Sequence, residues 1–151
     1  MVKVFKLSFV VVGVYDSLNT LISLVIQIPV GRFIDKYGEK PSFIISFLAN
    51  SICLALFVAF TKINPLLALT MLLAKNLFTA FYGNASRTYI AKKIDKSVLS
   101  SFYCGMSSLS SIISMIGPSI GYILWSINVD LPFITYISGL LLLAILSTKL
   151  K

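Results

Sequence analysis

The 151-residue chain is 58% hydrophobic and only 12% charged, with a formal net charge of +8. Soluble domains carry roughly 25% charged residues, and here the charges sit in short clusters that leave long apolar runs between them. That distribution excludes a soluble globule. It also explains the basic balance without a nucleic-acid partner, because Lys and Arg collect in the cytoplasmic loops of membrane proteins.

At the N-terminus, Lys3 and Lys6 ahead of Leu7 to Tyr15 have the look of a signal peptide. The apolar core is short, Asp16 interrupts it and no small-residue cleavage site follows. The stretch therefore reads as a loop feeding the first helix. Five apolar segments come next, at residues 13–34, 41–60, 65–86, 99–125 and 131–148. Each is about long enough to cross ~30 Å of hydrocarbon as a helix. A lone strand in lipid would leave its peptide groups unpaired, so helices are required. The expected fold class is all-α: a polytopic transmembrane helix bundle forming a single transmembrane domain over residues 1–151. Pro41 and Pro65 suit helix starts, where a missing N–H costs nothing.

The connections are brief, and their charges set an orientation. Arg32, Lys36, Lys40, Arg87, Lys92, Lys93, Lys96, Lys149 and Lys151 fall on one side of the predicted topology, and Lys3, Lys6 and Lys62 on the other. The positive-inside bias makes the first side cytoplasmic. The expected location is the cell membrane, multi-pass, with the C-terminus cytoplasmic and the N-terminus outside.

Polar residues inside the segments mark candidate sites. Asp16, Thr20, Ser23 and Gln27 share one face of the first helix. Lys75, Thr79, Tyr82 and Ser86 recur similarly on the third, with Asn76 beside Lys75. Lys75 lies ~14 Å into its helix, where a Lys costs at least ~2.5 kcal/mol on insertion scales. It needs a polar partner or a water-filled cavity. Lys75, Asn76, Thr79, Gln27 and Asp16 are therefore the expected pathway residues. In the fourth segment Ser107, Ser111, Ser114, Gly117 and Gly121 form a stripe of small residues that lets another helix approach, and Pro118 permits a kink.

The chain has no His, and Cys53 and Cys104 have no CxxC partner. No metal site and no cofactor is expected. Both cysteines read as small packing residues. Without a catalytic pair or a nucleotide-binding loop, an enzyme is not expected.

The first charged turn reads Gly31-Arg32-Phe33-Ile34-Asp35-Lys36-Tyr37-Gly38-Glu39-Lys40. It resembles motif A of the major facilitator superfamily, roughly G-x-x-x-D-[RK]-x-G-[RK]-[RK]. Gly31, Asp35, Lys36, Gly38 and Lys40 match, while Glu39 stands where a base is usual. Gly117-Pro118-Ser119-Ile120-Gly121 is similar to the core of the family's motif C, with Tyr122 in place of its closing Gly. Asn84 to Lys96 resembles the loop before the family's next helix, with Ser100 and Ser101 where a base is often found.

This resemblance extends over essentially the whole chain, but only to five helices of a twelve-helix fold. It implies part of one half of a secondary transporter, in which two halves rock around a midplane site. Motif A would act as a gate latch, and the first, third and fourth helices would line the cavity. The second and fifth would face lipid more. The Lys149–Lys151 end suits the C-terminal half. The expected partners are the lipid bilayer, a small-molecule substrate, and either a chain supplying the remaining helices or a second copy. The competing expectation is a non-transporting membrane scaffold or assembly subunit that uses its Ser/Gly face as an interface.

Overall fold

The computed structural model describes residues 9–61 and 63–149. Expectations that rest on Lys3, Lys6, Lys62 and Lys151 lie outside the described residues. Five helices follow in chain order: α1 (Phe9–Tyr37), α2 (Glu39–Thr61), α3 (Pro65–Lys93), α4 (Leu99–Ile127) and α5 (Leu131–Thr148). All five are long and apolar enough to cross a membrane. No strand occurs among the described residues. The all-α transmembrane bundle expected from the sequence is the observed fold.

The helices outrun the predicted segments. α1 begins at Phe9 rather than residue 13, so Phe9 to Val12 of the expected N-terminal loop are helical. It continues through Arg32, Asp35 and Lys36 to Tyr37, and α3 continues through Arg87 and Lys92 to Lys93. Hydropathy marks where hydrocarbon gives way to head groups. A helix already nucleated in lipid needs no apolar side chains to go on hydrogen-bonding its own backbone.

The turn between α1 and α2 is a single residue, Gly38, with φ +88°. Its N–H donates to the Ile34 carbonyl at 2.8 Å and so closes the C-terminus of α1. Pro41 then sits in the first turn of α2, where no intrahelical N–H is needed. At the start of α3 the Asn64 side chain accepts from the Leu66 N–H at 3.0 Å, with Pro65 as the first helical residue.

α2 is the hub. It packs along its length against α3 and, to a lesser extent, α5, while α1 rests mainly on α3. Val30 and Ile34 of α1, Phe43 and Phe47 of α2, Ala85 of α3, and Leu140 and Ala144 of α5 form one core cluster. A second, nearer the opposite end, joins Leu54 and Phe57 to Ala68. Ala68 and Ala85 are fully enclosed, so α3 approaches α2 closely at both points. This position of α2 differs from the lipid-facing one implied by the resemblance. Its outer face, with Leu48, Ile52 and Leu56, is exposed, but the opposite face holds the bundle together.

α4 stands apart. It has no buried residue, and its main neighbour is α5. Trp125 meets Phe133 edge-on at 6.3 Å, close to where the two helices join. Gly117, Pro118 and Gly121 lie within one uninterrupted helix, and a Cβ on either glycine would meet nothing within 4 Å. No described residue packs into the small-residue stripe. Cys53 is buried on α2, whereas Cys104 on α4 is exposed, so only the first is a packing residue here.

Candidate functional site

The helix order brings the basic clusters together. Glu39 Oε1 at the start of α2 lies 2.6 Å from Lys92 Nζ near the end of α3, so the α1–α2 turn and the α3–α4 turn share one end of the bundle. Phe43 and Phe47 line a cleft with Leu143, Leu146 and Ser147, which brings the end of α5 to the same side. Glu39, the departure from the motif, is thus the acid that forms an ion pair here. Asp35, Lys36 and Lys40 are exposed, and Lys36 lies over its neighbour Tyr37 at 5.2 Å from the ring centre. Among the described residues Asp35 has no ion-pair partner.

A polar groove of about 310 Å³ runs between α1 and α3. Asn19, Ser23 and Gln27 line it from α1 at four-residue spacing. Asn76, Thr79, Ala80, Gly83, Asn84 and Arg87 line it from α3. Three- and four-residue steps keep each set on one helical face, and Asn76 to Arg87 covers ~16 Å along the axis. Asn76 Nδ2 donates to Asn19 Oδ1 at 2.9 Å, tying the two helices together across 57 residues of chain. An amide pair of this kind satisfies groups that hydrocarbon would leave bare.

A second set of polar groups extends from the groove into the α2–α3 seam. The Thr79 hydroxyl lies 3.1 Å from Asn50 Oδ1 and 3.0 Å from the Lys75 carbonyl. Asn50 Nδ2 donates to the Ser46 carbonyl at 2.8 Å and lies 3.2 Å from its Oγ. The Ser46 hydroxyl donates across to the Phe78 carbonyl at 2.7 Å. Ser42, Ser46 and Asn50 recur every fourth residue on the buried face of α2. That four-residue spacing is present in the sequence among many apolar residues.

Of the pathway residues expected from sequence, Gln27, Asn76 and Thr79 come together in the groove. Asp16 and Lys75 are not among its lining residues. Asp16 is exposed, one turn beyond Asn19, and its carbonyl accepts from the Thr20 hydroxyl at 2.9 Å. Lys75 is half-buried and points elsewhere, with its ammonium 5.5 Å from the ring centre of Tyr136 on α5. Where a polar partner or a water-filled cavity is expected, Lys75 meets an aromatic face, which can stabilise a desolvated cation by ~2 kcal/mol. Asn19 and Arg87 are groove residues that the sequence reading did not place in the pathway.

Five membrane-length helices with basic turns at one end define a polytopic α-helical membrane protein. The family model of the Major Facilitator Superfamily matches residues 1–150. The chain belongs to that superfamily and is a membrane transporter of the major facilitator kind. No curated protein and no solved structure matches it.

Proposed function

We propose that the α1–α3 groove is this chain's part of the pathway along which a major facilitator-type secondary transporter moves a small solute by alternating access. The observation that carries the reading is the Asn19–Asn76 hydrogen bond within a groove lined by amides, hydroxyls and one guanidinium on two membrane-length helices. Polar side chains there face a cavity or another helix, and here they line open volume. The motif A residues Gly31, Asp35, Lys36, Gly38 and Lys40 form the hinge between α1 and α2 at the basic end of the bundle. Asp35 supplies the latch acid for a global state in which a base or helix terminus comes within reach.

The basic end is cytoplasmic in this reading, with the C-terminus on that side of the cell membrane. The open face of α4 around Gly117, Pro118 and Gly121 takes further helices of the same fold. That bare face is also what favours an assembly subunit as the second reading.

Two-sided accessibility separates the readings. Single cysteines at Gln27 and Asn76, in a background lacking Cys53 and Cys104, are labelled with a membrane-impermeant maleimide in intact cells and in inside-out vesicles. A carrier pathway is labelled from both sides. Labelling from one side alone or from neither contradicts transport through this groove and leaves the assembly role.

A further inference from the structure

We propose that the groove selects an anion, a small solute whose negative charge pairs with Arg87 while its other oxygens meet the amides and hydroxyls of α1 and α3. This inference rests on the reading of the groove as a pathway and adds the chemical class of its cargo. Among the described residues Arg87 is the only charged one that lines the groove, and no carboxylate lines it. The neighbouring side chains, Asn19, Ser23, Gln27 and Asn76, bring hydrogen-bond donors and acceptors but no charge. The sign of the site is therefore set by one guanidinium, which presents five donors in a fork suited to carboxylate or phosphate oxygens.

Among the described residues no acid pairs with Arg87. Glu39, an acid at the same end of the bundle, is taken by Lys92. Arg87 is exposed toward the groove mouth, one turn beyond Gly83, so an entering ion meets it without displacing an internal partner. Low-dielectric walls concentrate its field along the opening. A cation entering by the same route would face the guanidinium with no compensating carboxylate.

The test uses the full chain in lipid nanodiscs, so that both faces are open to reagent. Gly83→Cys places a thiol in the groove one turn from Arg87, and its Cβ has no neighbour within 4 Å to displace. Cys53→Ala and Cys104→Ser remove the native thiols. Labelling rates are measured with an anionic and a cationic methanethiosulfonate, each divided by its rate on free 2-mercaptoethanol. The ratio of the two is then independent of how far the protein thiol is ionised.

The expected result is about a tenfold preference for the anionic reagent that falls to about one in Arg87→Gln and persists in Arg87→Lys. Equal normalised rates for the two reagents would overturn the anion inference while leaving an open pathway. No labelling by either would overturn the pathway reading itself. Repeating the measurement with anionic lipid in the disc identifies the source of the anion. An unchanged preference supports a soluble ion, whereas labelling that collapses assigns the site to a lipid head group and overturns the solute.

Discussion

Gly38 shows how much one residue carries at the α1–α2 turn. Its φ of +88° is a conformation in which a Cβ costs roughly 1–2 kcal/mol. Gly38→Ala is expected to lower unfolding stability in detergent by about 1 kcal/mol, with Gly38→Asn losing less, because Asn tolerates the left-handed region. Equal stability of the Gly38→Ala variant and the wild type would mean the turn adopts another shape. The Asn19–Asn76 bond makes a second prediction at this scale. A double-mutant cycle with Asn19→Leu and Asn76→Leu should give a coupling of ~0.6 kcal/mol and no more than ~1.7 kcal/mol, the average and the maximum for interhelical bonds in membranes. Purely additive losses would show that the amides do not meet. Asn19 was hard to find from sequence for a geometric reason. The stripe of Asp16, Thr20, Ser23 and Gln27 and the stripe of Asn19, Ser23 and Gln27 share two members and overlap on a helix of 3.6 residues per turn. Only the position of Asn76 on the facing helix decides between them.

Among the elements, α2 differs most from expectation. Its apolar length announced a membrane helix, but its sequence alone did not announce a hub, because Ser42, Ser46 and Asn50 are few among many apolar residues. Their importance comes from α3, which brings Ala68, Phe78 and Ala85 against that face. Ser46→Leu should overpack the seam and remove the bond to the Phe78 carbonyl, at a cost of about 1–3 kcal/mol. Ile52→Leu on the exposed face of the same helix should be nearly neutral. The two variants compared by detergent unfolding check the assignment, and a neutral Ser46→Leu would contradict it. Helix number and order were legible because lipid demands continuous apolar runs. Helix ends were not, because charged residues such as Arg32 and Lys92 continue a helix into the head-group layer as readily as they end the apolar stretch.

On the scale of the whole molecule, α1, α2, α3 and α5 share core contacts and α4 is attached mainly through α5. Large apolar side chains such as Ile28, Met115 and Ile145 are exposed around the bundle, which in water would be an aggregation liability and in lipid is an ordinary surface. The groove between α1 and α3 breaks that pattern by presenting amides, hydroxyls and a guanidinium within the apolar frame. Family membership was readable from motif A because its turn chemistry survives in Gly31, Asp35 and Gly38. The groove was only partly readable, because Lys75 and Asn76 are adjacent in sequence yet point to α5 and α1 respectively. The central claim, a bilayer-spanning bundle with one wet face, is tested most directly by spin-label power saturation in nanodiscs. Nitroxides at Ser23 and Gly83 should collide preferentially with a water-soluble nickel chelate, and nitroxides at Ile52 and Ile145 with oxygen dissolved in lipid. Oxygen preference at all four positions would mean a groove closed to water, and nickel preference at all four would mean a chain that does not span the membrane.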